Sequence, residues 1–270
     1  MSAAPSLTRL TYYPVKSCRG VALDRAVVGP RGIRGDRRWM VVDAGGRFLS
    51  QRSWPRMCLI RPRPLPGGLR LDAPRAEPLL VEDGEQGRTR VTVEIWGHRT
   101  EAVDAGTDAA RWFSDFLGVS CRLVRHADDA LRRVDPDYAR SDADQVGCAD
   151  GFPFLLTSET SLSALNDRLP EPLPMDRFRP NLVVAGTEAF AEDAWETIRV
   201  GDVVFSVVKP CTRCSITTVN QETGDKGEEP LKTLADFRRG PGGVEFGQNL
   251  IHHGTGTLET GDEVRDLAPG

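Results

Sequence analysis

The chain has 270 residues, 39% of them hydrophobic and 27% charged, and its net charge is -4. This composition is typical of a soluble globular protein with enough chain for one large domain or two modest ones. The acidic balance argues against nucleic-acid binding, and no apolar run approaches the roughly 20 residues of a membrane helix, so no membrane partner is expected.

Short β-forming segments dominate the chain. Alternating or β-branched runs with turn residues between them predict strands at 7–15, 38–43, 47–51, 90–97, 121–126, 181–186, 197–208 and 256–264. Glycines at 45–46 and the Gly-Asp pairs at 201–202 and 261–262 predict the turns. The stretch 61–78 is too rich in proline and glycine for regular structure, so we expect an edge or loop there.

Three short helices are predicted from apolar spacing and end signals. They are placed at 108–118, 158–169 and 229–240. Gly118 and Gly240 are stop signals, Ser158 is a plausible N-cap, and Pro230 stands near a helix start.

The longest segment without periodicity is the polar stretch 126–151. A stretch of this length is either disordered or functional. We place a domain boundary near its start, which gives domains at 1–120 and 121–270. The predicted fold class is mainly β with a few short helices, arranged as two β-rich, barrel-like lobes.

Six cysteines are spread along the chain, and they are Cys18, Cys58, Cys121, Cys148, Cys211 and Cys214. They are too sparse for a disulfide scaffold. The N-terminal residues lack the basic-then-apolar order of a secretory signal, so we expect a cytoplasmic protein with reduced cysteines. A single cysteine is ordinarily a small buried apolar residue, and only the pair Cys211 and Cys214 has a spacing that suggests chemistry.

Four interpretations of this pair stay open on spacing. A structural zinc site needs two more ligands, and the later candidates His252 and His253 are adjacent. A redox pair needs a helix after its first cysteine, whereas residues 215–219 are β-forming. A soft metal held by one thiolate at a strand end is the third, with Lys209 and Arg213 favouring the thiolate. Two buried thiols without function are the fourth.

Four polar clusters, each joined to an apolar run, accompany the cysteine pair. They are Lys16, Ser17 and Arg19; Arg34, Arg37 and Arg38; Arg179 and Asn181; and FGQNL at 246–250. Each cluster by itself is typical of a solvated surface. Together they would suit a small anionic ligand with phosphate or pterin-like acceptors, bound by donors from several segments.

Six motifs in order carry a family resemblance. They are YPVKSCRG, GDRRWMVVD, CADGFPFLLTSETSLSALNDRL, FRPNLVVAG, KPCTRCSITTVNQETG and FGQNL. With them the sequence resembles the two-domain MOSC proteins, in which a MOSC N-terminal β-barrel domain precedes a MOSC domain. This group includes the mitochondrial amidoxime-reducing components and their bacterial relatives. The resemblance covers nearly the whole chain.

The resemblance implies that the chain binds molybdenum cofactor, a pyranopterin whose dithiolene sulfurs hold the metal. Cys214 would be the metal ligand and catalytic residue, and Cys211 would pack beside it. A thiolate suits a metal already bound by sulfur. Carried over by motif, the cofactor-binding residues would be Lys16, Ser17, Arg37, Asp150, Gly151, Arg179, Asn181, Thr212, Arg213 and Asn249. The cofactor would lie between the lobes, with residues 126–150 as a rim.

The resemblance further implies a molybdenum-dependent oxidoreductase that reduces the N–O bonds of N-oxygenated compounds such as amidoximes. No cysteine follows Cys214, so we expect no iron–sulfur cluster in this chain. Electrons would come from a separate donor protein, a ferredoxin, a flavodoxin-type reductase or a cytochrome. The targeting and membrane segment of mitochondrial members is not expected here.

Two other functions stay open. The chain could carry or store the cofactor without turnover. It could also transfer sulfur through a persulfide on Cys214, because MOSC domains occur in cofactor sulfurases. Asp150 is the nearest candidate for a general acid, although fixing its turn and the pterin is its more ordinary role.

Overall fold

The computed structural model describes residues 4–267, and the outer ends of the two predicted domains, 1–3 and 268–270, lie outside the described residues. The described chain is mostly strand, which confirms the predicted fold class of a mainly β protein with a few short helices. No sheet among residues 4–267 closes on itself into a barrel. No helix in this range is long and apolar enough to cross a membrane.

The strands in chain order are β1 (Ser6–Tyr12), β2 (Val21–Leu23), β3 (Arg25–Gly29), β4 (Gly32–Ile33), β5 (Trp39–Val42), β6 (Arg61–Leu65), β7 (Gly68–Ala73), β8 (Ala76–Glu82), β9 (Arg90–Ile95), β10 (His98–Asp104), β11 (Arg122–His126), β12 (Phe154–Ser158), β13 (Leu182–Ala185), β14 (Thr197–Val200), β15 (Val203–Thr212), β16 (Arg239–Gly240), β17 (Gly243–His252), β18 (Gly256–Glu259) and β19 (Val264–Asp266). The helices are α1 (Thr107–Leu117), α2 (Glu159–Asn166) and α3 (Leu231–Phe237). Short 3-10 helices lie at Pro55–Leu59, Met175–Arg177, Ala191–Asp193 and Ser215–Thr218.

The largest sheet has the order β19-β14-β15-β17-β12-β13-β1-β2, with β16 paired to β17. Smaller sheets have the orders β5-β11-β10-β9, β18-β3-β4 and β6-β7-β8. The N-terminal strand β1 pairs antiparallel with β13, and β3 pairs with β18. Segments from both sides of residue 120 therefore share sheets and a common core cluster. The domain boundary at that residue stays a prediction.

All three predicted helices are confirmed, and the end signals at Gly118, Ser158 and Pro230 act as expected, whereas Gly240 lies in β16 and does not end α3. Gly118 ends α1 in the left-handed conformation at φ 71°, which costs a glycine little. The hydroxyl of Ser158 caps α2 by accepting a hydrogen bond from the backbone N–H of Ser161 at 3.0 Å. Helix α3 begins after Pro230 and ends at Phe237, before Gly240.

The prediction of an edge at 61–78 is confirmed for β6, but the stretch is regular structure and not a loop, because it lies in the three-stranded sheet β6-β7-β8. Strand β6 is an edge strand that contains Pro62 and Pro64. N–H groups two residues apart point to the same side of a strand. The missing donors of these prolines can therefore both fall on the open edge, where no partner strand needs them. The predicted hairpin at 38–51 is reduced to β5 and one bridging pair, Val42 and Phe48.

We expect His126 to make the fold sensitive to mild acid. Its side chain is fully buried, and burial, with Arg31 and Arg38 nearby, lowers its pKa to about 4. As the pH falls from 6.5 to 4, the unfolded chain binds a proton at this residue and the folded protein does not. Stability falls with pH in this window by about 3 kcal/mol, and no further loss from this residue is expected below it.

Urea unfolding at pH 7, 5 and 4 checks this expectation, with His126→Gln as the comparison. The variant should lose less stability than the wild type between pH 7 and pH 4. Equal losses in both proteins would contradict the assignment to His126.

Candidate functional site

One cleft gathers every residue that was predicted to bind the cofactor or its metal. The residues that line it are Lys16, Ser17, Arg37, Arg52, Ala149, Asp150, Gly151, Phe152, Phe154, Leu155, Phe178, Arg179, Asn181, Cys211, Thr212, Arg213, Cys214, Ile216 and Asn249. They come from both sides of residue 120. Five of them carry a positive charge, while Asp150 is the acidic one.

A tight turn after β1 brings Lys16 and Ser17 to the cleft. The turn is closed by the N–H of Cys18, which donates to the carbonyl of Val15 at 3.1 Å. Ser17 takes a left-handed φ of 65°, which a residue other than glycine adopts at a cost. The buried Gln51 amide donates to the Ser17 carbonyl at 2.7 Å and fixes the turn from behind.

Lys16 forms a charged pair with Asp150 across the cleft. Its ammonium also donates to the carbonyl of Cys148 at 2.8 Å. Burial lowers the pKa of Lys16, against the opposing effect of Asp150. Burial would raise the pKa of Asp150, but Lys16 and Arg52 hold it well below its ordinary value. Asp150 is thus ionised at neutral pH, so it suits fixing the turn better than it suits general-acid catalysis.

Arg132 anchors the turn that carries Asp150. Its guanidinium is buried and donates to three carbonyls, at 3.0 Å to Gly147, 2.6 Å to Ala149 and 2.6 Å to Asp150. Arg132 belongs to the predicted rim segment 126–150, so this segment holds its own C-terminal end in place. A Cβ on Gly151 would meet no atom within 4 Å, so the backbone at this position stays open to a ligand.

Asn181 sits where the two predicted lobes meet. Its Oδ1 accepts from Arg37 at 2.9 Å and from the N–H of Leu155 at 3.3 Å, and its Nδ2 donates to the carbonyl of Thr11 at 3.1 Å. Protein groups already engage both ends of this buried amide. Its clearest role is therefore to hold Arg37, and direct contact of Asn181 with the cofactor stays a prediction.

Arg179 is a cation without an anionic partner within residues 4–267. It lies between the 3-10 helix Met175–Arg177 and β13 at a left-handed φ of 57°. Within residues 4–267 its guanidinium has neither a hydrogen bond nor an ion pair, and it lies over the ring of Tyr13 at 4.2 Å. Burial lowers its pKa, as does the neighbouring Arg37. A partly desolvated, unpaired guanidinium is costly unless a ligand compensates it.

The cysteine loop follows strand β15. Cys214 comes two residues after the strand, in extended conformation, and is partly exposed in the cleft. The prediction that residues 215–219 are β-forming is wrong, since residues 215–218 form a 3-10 helix. Its threonine hydroxyls donate back to carbonyls three residues earlier, Thr217 to Cys214 at 3.0 Å and Thr218 to Ser215 at 2.9 Å.

Cys211 was predicted to pack beside Cys214, and both cysteines line the same cleft. It is partly exposed and lines the cleft, and its sulfur accepts a hydrogen bond from Nη1 of Arg213 at 2.8 Å. The other terminal nitrogen of Arg213 donates to the carbonyl of Phe178 at 2.6 Å, while its Nε is buried without a partner. The guanidinium of Arg213 therefore supplies Cys211 with a polar partner at the surface of the cleft.

Strand β17 brings Asn249 to the cleft through a glycine. Gly247 has a φ of 78°, and a Cβ there would lie 2.6 Å from the carbonyl oxygen of Leu156. Only glycine therefore allows β17 to approach β12 this closely. The histidines considered as zinc ligands lie outside the cleft lining: His253 contacts the hydroxyl of Ser206 at 2.8 Å, and His252 packs on Phe154.

Arg52 is a lining residue that the sequence prediction missed. Its Nη2 forms an ion pair with Oδ2 of Asp150 at 3.5 Å. Its guanidinium carbon lies over the ring of Trp96, 4.6 Å from the ring centroid. Trp96 is 54% exposed, and its indole N–H donates to Asp150 at 3.0 Å. Neither residue lies in a recognisable motif, so no spacing signal could have found them. The apolar lining residues Phe152 and Ile216 lie within quoted motifs, but an apolar side chain gives no chemical signal of a binding role.

The residues fit an anionic, sulfur-ligated cofactor. Arg179 lacks an anionic partner, the Nε of Arg213 is an unpaired buried donor, and Cys214 offers an accessible sulfur beside them. Guanidinium groups suit phosphate and carboxylate oxygens. Among residues 4–267 no three His, Cys, Asp or Glu side chains come together to hold a metal ion.

The cleft combines five cationic side chains with the partly exposed thiol of Cys214. Residues 4–120 match the MOSC N-terminal beta barrel domain, and residues 143–265 match the MOSC domain. The chain therefore belongs to the two-domain MOSC proteins, and the predicted resemblance is confirmed.

The chain is similar in sequence to several named proteins. It is 34% identical to mitochondrial amidoxime-reducing component 1 of Mus musculus, over 96% of this chain and 81% of that protein. It is 33% identical to the protein of the same name in Homo sapiens, over 96% and 82%. It is also 32% identical to molybdenum cofactor sulfurase of Danio rerio, over 92% of this chain but 32% of that protein. These relatives support a MOSC function related to molybdenum cofactor.

Proposed function

We propose that the protein is a molybdenum-cofactor-dependent reductase of N-oxygenated compounds. The observation that carries the proposal is the convergence of Cys214 and all ten predicted cofactor-binding residues on one cleft. Similarity to amidoxime-reducing components over most of both chains supports the reaction class. The cofactor, when bound, supplies a metal centre that exchanges electrons and accepts oxygen.

The chain's own residues would hold and orient that cofactor. Arg37, Arg179 and Arg213 would neutralise its anionic groups. Cys214 would add a thiolate sulfur, a soft donor that suits the metal and tunes its potential. Lys16 and Asp150 would fix the turn beside the pterin.

The proposed reaction breaks the N–O bond of the substrate. An amidoxime, two electrons and two protons give an amidine and water. The electrons would come from a separate donor protein, of ferredoxin, flavodoxin-reductase or cytochrome type. A cytoplasmic location belongs to the same proposal.

The test is reduction of benzamidoxime by the cofactor-loaded protein with a chemical electron donor. Formation of benzamidine in proportion to cofactor content would support the proposal. Full cofactor occupancy without turnover of any N-oxygenated compound would contradict the reductase function and favour a cofactor carrier.

Sulfur transfer is the second candidate, and similarity to molybdenum cofactor sulfurase favours it. Cys214 would then carry a persulfide, for which its partial exposure is suitable. Intact-protein mass spectrometry would reveal one added sulfur that disappears on reduction and in Cys214→Ser.

A further inference from the structure

Tyr13 lies behind the lining of the cleft, in contact with two of its arginines. Its side chain is buried, 3% exposed. The guanidinium carbon of Arg37 lies 4.4 Å from its ring centroid, and that of Arg179 lies 4.2 Å away. Two cleft arginines from distant parts of the chain therefore share one aromatic ring.

The polar groups of Tyr13 fix the same two segments. Its hydroxyl donates to the carbonyl of Pro180 at 3.0 Å, next to Arg179. Its backbone N–H donates to Asp36 at 2.7 Å, and its carbonyl accepts from the N–H of Arg37 at 2.7 Å. Burial raises the pKa of Tyr13 to about 12, although both arginines oppose the shift, so the phenol stays a neutral donor.

The two arginines depend on this ring to different degrees. Arg37 also contacts Asp36 and donates to Asn181 at 2.9 Å. Arg179 has no such partner within residues 4–267, so the ring is its main support. Both arginines have left-handed backbone, at φ 44° and 57°. Two like charges on residues with strained backbone keep their positions only when surrounding groups hold them there. A cation–π contact can do this, because it attracts a guanidinium without using its hydrogen-bond donors.

We propose that Tyr13 is a positioning residue that holds Arg37 and Arg179 as one anion-binding pair. The N–H groups of Arg179 are then left for the ligand, together with those of Arg37 that do not bind Asp36 and Asn181. The inference rests on the proposed cofactor site. It concerns the ring, which orients the guanidiniums, more than the hydroxyl, which anchors the backbone at Pro180.

The test compares Tyr13→Phe, which keeps the ring, with Tyr13→Leu, which removes it. In apo protein, NMR signals of the Arg37 and Arg179 side chains should keep their ring-current shifts in Tyr13→Phe and lose them in Tyr13→Leu. Titration with inorganic phosphate should move these signals, with affinity about tenfold weaker in Tyr13→Leu. Tyr12→Leu, at a neighbouring buried tyrosine outside the cleft, controls for loss of stability.

Pterin retention in rising salt gives a second readout. Tyr13→Leu should release pterin about tenfold faster than wild type, and Tyr13→Phe only slightly faster. If Tyr13 acts through Arg179, the effects of Tyr13→Leu and Arg179→Ala should be less than additive when combined. Full additivity, or unchanged arginine signals and phosphate affinity in Tyr13→Leu, would overturn the inference. Wild-type protein without pterin but with ring-dependent phosphate binding would overturn the proposed function and leave this inference standing.

Discussion

Cys214→Ser should lose its molybdenum and with it any reductase activity. A serine hydroxyl is a hard, protonated donor at neutral pH, so it replaces a soft thiolate poorly. We expect metal content to fall by at least about tenfold, because even residues that only orient a metal ligand change affinity by that amount or more. Metal analysis and pterin fluorescence of the same preparation measure the effect, and pterin should fall less than metal.

Cys211→Ser is the matched control for this prediction. Cys211 lies in the same loop and the same cleft, but its sulfur is already engaged by Arg213 at 2.8 Å. A serine hydroxyl can accept that hydrogen bond, so most of the metal and activity should remain. Equal loss in both single variants would refute the assignment of Cys214 as the ligand and return a paired-thiol site to consideration.

Arg179→Gly should weaken cofactor retention while it stabilises the apo protein. The substitution removes an unpaired cation from the cleft and relieves a left-handed φ of 57°. Relief of such strain contributes about 1 kcal/mol to the free energy of unfolding. Loss of a guanidinium contact to an anion should speed pterin release by about tenfold or more. Thermal unfolding of apo protein and pterin retention after gel filtration measure the two effects.

Arg75→Gly is the control that separates relief of backbone strain from loss of cofactor binding in Arg179→Gly. Arg75 has a similar left-handed φ of 60° but is exposed in the turn between β7 and β8, outside the cleft. It should gain comparable stability and keep its pterin. If Arg179→Gly retained pterin as well as Arg75→Gly does, the anion-binding role of Arg179 would be wrong.

Much of the site was predictable because its residues lie in ordered motifs. Lys16, Arg37, Arg179 and Cys214 belong to segments far apart in sequence, and all reach one cleft. The helices were predictable too, because spacing and caps such as Ser158 are local signals.

Residues whose roles arise from packing could not be predicted. Tyr13 opens the motif YPVKSCRG, but its role depends on two arginines that only the fold brings together. Arg52 gains its meaning from contact with Asp150. The hydrogen bond to the sulfur of Cys211 comes from the guanidinium of Arg213. In each case the decisive partner is a side chain whose direction the sequence leaves open.

Two segments have a secondary structure that their composition did not predict. Pro62 and Pro64 are tolerated because β6 is an edge strand, and edges are set by the whole sheet. The β-branched residues after Cys214 form a 3-10 helix because Thr217 and Thr218 bond back to the chain. Propensity favours strand for such residues, but side-chain hydrogen bonds offer an alternative.

Molybdenum and pterin content per chain tests the central claim most directly. The protein should be purified from cells able to build the cofactor, without added metal. The cleft predicts about one molybdenum and one pterin per chain, since a single site holds both. Neither metal nor pterin in correctly folded protein would contradict the proposed cofactor site and the reductase function that rests on it.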